Sequence, residues 1–220
     1  ASDFYAPHHH FAFLISNFSF KRGFQTKSKD GTPHEPALSN PLCIVRYFMT
    51  FIQHYDSPLG LILLAADEAG LTGLWFEEQR HYAATLPAET QTKETPALME
   101  GRRWLDIYFA GNEPDFTPPL HPIGTPFRMA VWHILLEIPY GATTTYGAIA
   151  KRLAKERGLP QMSAQAIGSA VGRNPISLII PCHRVIGRNG RLTGYAGGLH
   201  RKSSLLALEK KRGDQETRRR

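Results

Sequence analysis

Cysteine is nearly absent: 220 residues contain only Cys43 and Cys182. They allow one disulfide at most and form no CxxC pair, which excludes a disulfide scaffold and a Cys-rich zinc site. The ten histidines contain no HxxxH pair, so no metal ion or other cofactor is expected. No apolar run approaches the roughly 18 residues of a membrane-crossing helix, so no membrane partner is expected. Sparse cysteine fits a reducing interior, and a cytoplasmic location is the expectation. Acidic residues are scarce in one half only. Residues 128–200 hold 9 Lys and Arg against 2 Asp and Glu, whereas residues 49–127 hold 4 against 11. A split of this kind points either to a module facing a polyanion, of which nucleic acid is the usual one, or to a solvated surface with a basic tail, and charge alone does not choose between them.

What is present falls into four stretches. Residues 1–48 carry a His triplet (His8, His9, His10), a Phe-rich patch and polar sequence. "FAFLISNFSF" precedes Lys21 and Arg22, the reverse of a secretory signal, so the stretch reads as a poorly ordered extension. From Met49 the runs "TFIQHYD", "LGLILLAAD" and "GLTGLWFEE" alternate with turn sequences and predict a small antiparallel sheet. "TPALMEGRRWLDIYFAGN" then places Leu98, Leu105 and Phe109 on one helical face and ends at Gly111. The fold class is α+β, with an N-terminal domain over 49–118. The Pro-rich "EPDFTPPLHPIG" is the linker, a second domain covers 123–209, and 210–220 is a basic tail.

The second domain is mainly helical. "TPFRMAVWHILLEIPYG" opens with a Thr-Pro start and stops at Pro139 and Gly141. Two segments at helix-turn-helix spacing follow. The first turns Ile149, Ala150 and Leu153 inward and Lys151, Arg152 and Lys155 outward. The second starts at Ser163, a predicted N-cap. It is built from small residues, among them Ala164, Ala166, Gly168, Ala170 and Gly172. Glycine in a helix costs about 1 kcal/mol against Ala. Such a helix needs its backbone close either to a neighbouring element or to a DNA groove.

"ISLIIPCHRVIGRNG" reads as a buried strand ending at Pro181, with Cys182 and His183 beyond it. A free thiol has a pKa near 8.5 and only its thiolate is a strong nucleophile, so a base is wanted nearby. Neighbours on an extended chain point to opposite faces. A bridging water is therefore the expected link between Cys182 and His183, with an acid fixing the His183 tautomer. Alone, the pair is weak evidence, because a lone buried cysteine is more often a small hydrophobe.

The surrounding residues resemble the O(6)-alkylguanine-DNA alkyltransferases, closest to the bacterial, zinc-free, constitutive type. "PCHRV", the upstream "NP", the downstream "GYAGG" and the closing "LLALE" carry the resemblance, which extends over residues 49 to 209. It implies an RNase H-like sheet domain followed by a winged-helix-like domain. It further implies direct reversal of damage, with an alkyl group moved once and irreversibly from guanine, and from O(4)-alkylthymine, to Cys182. The base would be flipped from the duplex, since its alkyl carbon is out of reach inside the stack. The implied partner is double-stranded DNA containing alkylated guanine, met by a monomer.

The same resemblance implies roles for individual residues. His183 matches the base acting through water, Glu209 the acid behind it, and Tyr146 a proton donor toward the departing guanine. Asn174 matches the residue tying the recognition helix to the cysteine. Val185, Tyr195, Ala196 and Gly197 match the pocket for the flipped base. Ala164, Gln165, Gly168 and Arg173 fall on the DNA-facing helix, which in the family enters the minor groove. Gln165 stands where the family usually has arginine, and it lacks the charge and the planar guanidinium. Ser203 and Ser204 replace bulkier residues. Two rival readings remain at this level. One is a lesion-binding relative that does not transfer, although such relatives usually lack the cysteine. The other is a helix-turn-helix regulator sensing oxidants through Cys182.

Overall fold

The computed structural model describes residues 49–217, with side chains through Lys210. The His triplet, Cys43 and the remainder of 1–48 lie outside the described residues, as do 218–220. The described residues cluster as one compact unit.

Three strands run as the alternation predicts: β1 (Thr50–Ser57), β2 (Gly60–Ala66) and β3 (Leu71–Phe76), each antiparallel to the next. The first turn is closed by Ser57, whose Oγ donates to the Gly60 carbonyl at 2.5 Å. The second is closed by Asp67, whose Oδ1 accepts from the amides of Ala69 and Gly70 at 2.8 and 3.1 Å. A short β4 (Thr90–Thr92) adds a parallel edge beside β1, giving the order β3-β2-β1-β4. Period-2 alternation sorts β2 between two cores. Ile62, Leu64 and Ala66 join the main one, and Leu63 and Ala65 pack with Trp75 on the other face.

Helix α1 (Pro96–Phe109) starts on Thr95, whose side chain accepts from the Leu98 amide, with Pro96 in the first turn where its missing N–H costs nothing. It buries Leu98, Trp104, Leu105 and Tyr108 against the sheet, while Phe109 is half-buried. Thr125 caps α2 (Pro126–Leu136), Thr145 caps α3 (Tyr146–Glu156), and Ser163 caps α4 (Ala164–Gly172). Ile149, Ala150 and Leu153 face inward as their spacing requires. Trp132 Nε1 donates to the Ala170 carbonyl at 2.9 Å and ties α2 to α4. A two-residue β5 (Thr144–Thr145) pairs in parallel with β6 (Val185–Ile186), and α5 (Leu199–Thr217) closes the described chain. Burying leucines such as Leu74, Leu105 and Leu135 stabilises the shared core by about 1.5–3 kcal/mol each.

The Pro-rich connection is more than a spacer. The Leu71 amide donates to the Pro119 carbonyl at 2.8 Å and the His121 amide to the Leu71 carbonyl at 2.7 Å. Gly70, with φ +152, permits this: a Cβ there would lie 2.5 Å from the Pro119 oxygen. Further along the same edge of β3, Leu74 exchanges backbone bonds with Pro175 and Ser177, both 2.9 Å. That second contact fixes where the cysteine segment lies.

Candidate active site

Cys182 is delivered by a segment that is not the strand its apolar run predicts. Residues 176–181 form turns, with only an isolated parallel bridge from Ile176 to Leu74. The reason is Asn174. Its buried side chain accepts from the Ile176 amide at 3.0 Å and donates to the carbonyls of Ile180 and Ile176 at 2.7 and 3.3 Å. The backbone thus bonds to a side chain instead of to a neighbouring strand. Leu178 is held at φ +70, a conformation costing a β- or γ-branched residue roughly 1–3 kcal/mol. Cys182, His183 and Arg184 then make one 3₁₀ turn, so the opposite-face geometry of an extended chain does not apply.

Asn174 Nδ2 also reaches Cys182 Sγ at 3.2 Å. The thiol is buried, and burial pushes its pKa upward. Asn174, the Lys202 cation and the backbone amides of Cys182 and His183 pull the other way without winning. At rest the sulfur is therefore a thiol in need of a base.

His183 is the fitting base. Its Nε2 lies 2.7 Å from Glu209 Oε1, and Tyr108 donates its hydroxyl to the same oxygen at 2.8 Å. An imidazole facing a carboxylate through Nε2 carries its proton there, so the tautomer assigned from this bond leaves Nδ1 with a lone pair. Nδ1 is buried and has no hydrogen-bond partner. Burial lowers the His183 pKa despite the opposing pull of Glu209, which keeps the ring neutral at pH 7.

Glu209 is bound on every side. Arg184 donates through Nε and a terminal nitrogen at 3.0–3.2 Å, and the Gly141 amide donates at 3.1 Å. Burial alone would raise its pKa. The bonds and charges of His183 and Arg184 overcome that and hold it at about 2. Arg184 spends a further N–H on the Ile138 carbonyl at 2.7 Å.

Above the cysteine lies an open pocket of about 720 Å³. Tyr146, Ala164, Gln165, Gly168, Arg173, Tyr195 and Ala196 line it, bringing the predicted helix face and loop residues together. Cys182 does not line it; Tyr146 and Tyr195 do, and their hydroxyl pKa values are pushed up by burial first and then by a charge on its sulfur. Val185 and Gly197 stand outside the lining as well. Val185 is buried in β6, and a Cβ on Gly197 would come within 2.8 Å of the Tyr195 ring. The Tyr146 hydroxyl is shared between the carbonyls of Thr193 and Gly194, at 3.1 and 3.2 Å. Gly168 and Gly172 face open space: an added Cβ would find only ordinary contact with Tyr146 at 3.8 Å in the first case and nothing in the second. No intramolecular packing requires glycine at either position.

Sequence reasoning missed three groups. Tyr108 belongs to α1, and no local pattern links it to Glu209 across 101 positions. Arg184 is visible in "PCHRV" but points inward to Glu209 instead of outward to a polyanion. Lys202 is fully buried, and its Nζ donates to the carbonyls of Val185, Thr193 and Gly194 at 2.5, 2.8 and 3.2 Å. Burial brings its pKa down to about 8. A signal for it existed, since Lys202, Leu205, Leu206 and Glu209 fall at helical spacing on one face.

Among the described residues no group of three or more His, Cys, Asp or Glu side chains could hold a metal ion. No described helix is long and apolar enough to cross a membrane.

Residues 51–122 match the family described as 6-O-methylguanine DNA methyltransferase, ribonuclease-like domain, and residues 126–211 match its DNA binding domain. A methylated-DNA–protein-cysteine methyltransferase of Methanosarcina acetivorans is 47% identical over 70% of this chain and 95% of its own. One from Mycobacterium bovis is 45% identical over 72% and 93%. The crystal structure of the Mycobacterium tuberculosis protein OGT in complex with DNA superposes with a TM-score of 0.63 at 42% identity, covering 74% of this chain and 94% of that one.

Proposed function

The chain belongs to the 6-O-methylguanine DNA methyltransferase family, and from that premise we propose that it repairs duplex DNA by moving an alkyl group from O(6)-alkylguanine to Cys182. Its enzyme class is that of the methylated-DNA–protein-cysteine S-methyltransferases.

The proposed chemistry is a direct displacement. His183 Nδ1 takes the Cys182 proton through a bridging water, and Glu209 stabilises the imidazolium that forms. The sulfur attacks the alkyl carbon, an S–C bond forms, and the bond from that carbon to O6 breaks with its electron pair on the guanine. A proton reaches the departing base from the Tyr146 hydroxyl and is replaced from His183. The balance is thiol plus alkylguanine giving thioether plus guanine. A thioether has no easy return to thiol, so each molecule acts once. The observation that carries this reading is the unpartnered Nδ1 of His183, whose other nitrogen is committed to Glu209.

In the same reading the alkylated base leaves the stack and enters the 720 Å³ pocket. Tyr195 and Ala196 receive it, with Val185 and Gly197 behind, while α4 lies against the minor groove. The bare backbone at Gly168 and Gly172 supports a close approach there. Since Cys182 is buried and does not line the pocket, contact between the base and the sulfur requires side chains of the lining to shift. O(4)-alkylthymine is a second substrate under the same geometry. The protein acts as a monomer in the cytoplasm, with its sheet domain (49–118) and catalytic domain (123–209) divided at the Pro-rich connection.

The test mixes the protein with a duplex carrying one O(6)-methylguanine and weighs its tryptic peptides. A methyl-sized gain on the Cys182 peptide is expected. An unmodified peptide at full DNA occupancy would overturn transfer in favour of lesion binding, and selective binding to an undamaged sequence would favour a regulator.

A further inference from the structure

The mouth of the pocket has a second wall, made by a part of the chain remote from the helix-turn-helix. Arg80 and His81, just after β3, line the pocket opposite α4. They sit on a lip, residues 77–86, in which Glu78, His81 and Ala83 adopt φ of +60, +63 and +50. Three non-glycine residues in this conformation within one short segment persist only where surroundings enforce it, and such enforcement concentrates at functional sites.

The enforcement is visible. Gln79 is buried; its Oε1 accepts from the Phe76 amide at 3.0 Å and from Ser177 Oγ at 3.3 Å. The Arg80 amide donates to the Ala196 carbonyl at 2.9 Å, which joins the lip to the pocket loop. The Arg80 backbone is thus fixed at the rim while its side chain stays exposed. No acidic residue lines this pocket, and among the described residues none pairs with Arg80, Arg128 or Arg173. His81 registers their convergence: burial first, then Arg173, Arg80 and Arg128, drive its pKa down. An acidic half of the sequence has placed an uncompensated cation at the rim of a pocket it shares with the basic half.

We propose that Arg80 is a phosphate-binding residue, gripping the DNA backbone beside the extruded nucleotide from the side opposite α4. The inference rests on the repair function proposed above. The sheet domain then touches the substrate directly, and Arg80 and Arg173 approach the same stretch of backbone from two sides of the pocket mouth.

The test compares wild type with Arg80→Ala, Arg80→Lys and Arg173→Ala. Each binds two duplexes, one with a single O(6)-methylguanine and one with guanine in its place, across a salt series. Loss of one phosphate contact lowers the slope of log affinity against log salt by about 0.9 and weakens binding roughly five- to tenfold near 0.1 M salt. Arg80→Ala is expected to show that change equally on both duplexes at an unchanged melting temperature, and Arg80→Lys to restore the slope. An Arg80→Ala slope and affinity equal to wild type, with Arg173→Ala reducing both, would overturn the proposal. A fall on the methylated duplex alone overturns it too, because a phosphate contact cannot read the base. If wild type itself takes no methyl group onto Cys182, it is the repair function that fails, whatever the slopes.

Discussion

On one side of Cys182 lies the cluster of His183, Arg184, Glu209 and Tyr108; on the other lies the exposed face of α4. In the cluster nearly every donor and acceptor is spent inside the protein: the Glu209 carboxylate takes bonds from His183, Arg184, Tyr108 and Gly141. On α4 the capacity is unspent: Gly168 and Gly172 expose bare backbone, Gln165 and Arg173 reach outward, and no acid answers the charge. Saturated groups hold a geometry, whereas unsaturated ones await a ligand. The exception within the cluster, the buried and unpartnered Nδ1 of His183, is where the proposed proton transfer begins.

Mutations that strike each side differently break or sharpen this contrast. The largest effect is expected from Cys182→Ser, which removes the proposed nucleophile: transfer falls by at least ~10³-fold while duplex affinity stays, as gel shift and peptide mass would report. Next is Glu209→Gln. It leaves Arg184 buried without a counter-charge, and about 3–5 kcal/mol of stability is lost, measured by urea unfolding.

The same variant changes the acid limb of stability. Folded Glu209 titrates near 2 against an ordinary 4.5, so the folded form binds protons more weakly than the unfolded one. Its contribution is complete above pH 4.5 and drains away as pH falls toward 2. His183, lowered from 6.5, adds a loss that begins as pH drops below that value. Glu209→Gln should flatten the segment between pH 4.5 and 2; a wild-type limb in the variant would mean the carboxylate is not the titrating group.

Tyr108→Phe removes one bond to a charged acceptor and should cost about 1.5–3 kcal/mol, with slower transfer and unaltered DNA affinity. Gly168→Ala and Gly172→Ala probe the other side. Open space around both positions predicts a gain of roughly 0.5–1 kcal/mol in stability together with weaker DNA binding. Tighter folding with undiminished binding would show that the groove does not approach these glycines. The smallest effect is expected from Gln165→Arg, a severalfold faster transfer on duplex DNA through better filling of the vacated stack.

The sequence was legible wherever the determining interactions are local. Thr125 and Ser163 cap the helices they precede, and Ile149 and Leu153 turn inward at helical spacing. The α+β fold class followed from runs that keep their own hydrogen bonds, and the family from the motifs around Cys182. Legibility ended where a distant or side-chain partner takes over. "ISLIIP" has a strand's composition, yet Asn174 takes up its backbone groups and bends it into turns. Tyr108 reaches Glu209 across 101 positions, beyond any periodic signal. Lys202 was hidden by its charge, although Leu205 and Leu206 share its face.

The distance along the chain from His183 to Glu209 also sets a clock. At a synthesis rate of about 5–20 residues per second, the 26 residues between them take one to five seconds to appear. Throughout that interval Cys182 has been made, but the carboxylate that assigns the His183 tautomer has not. The nascent chain therefore carries a thiol without its partner acid until α5 appears, and the same helix brings Lys202, which ties down the pocket loop at Thr193 and Gly194.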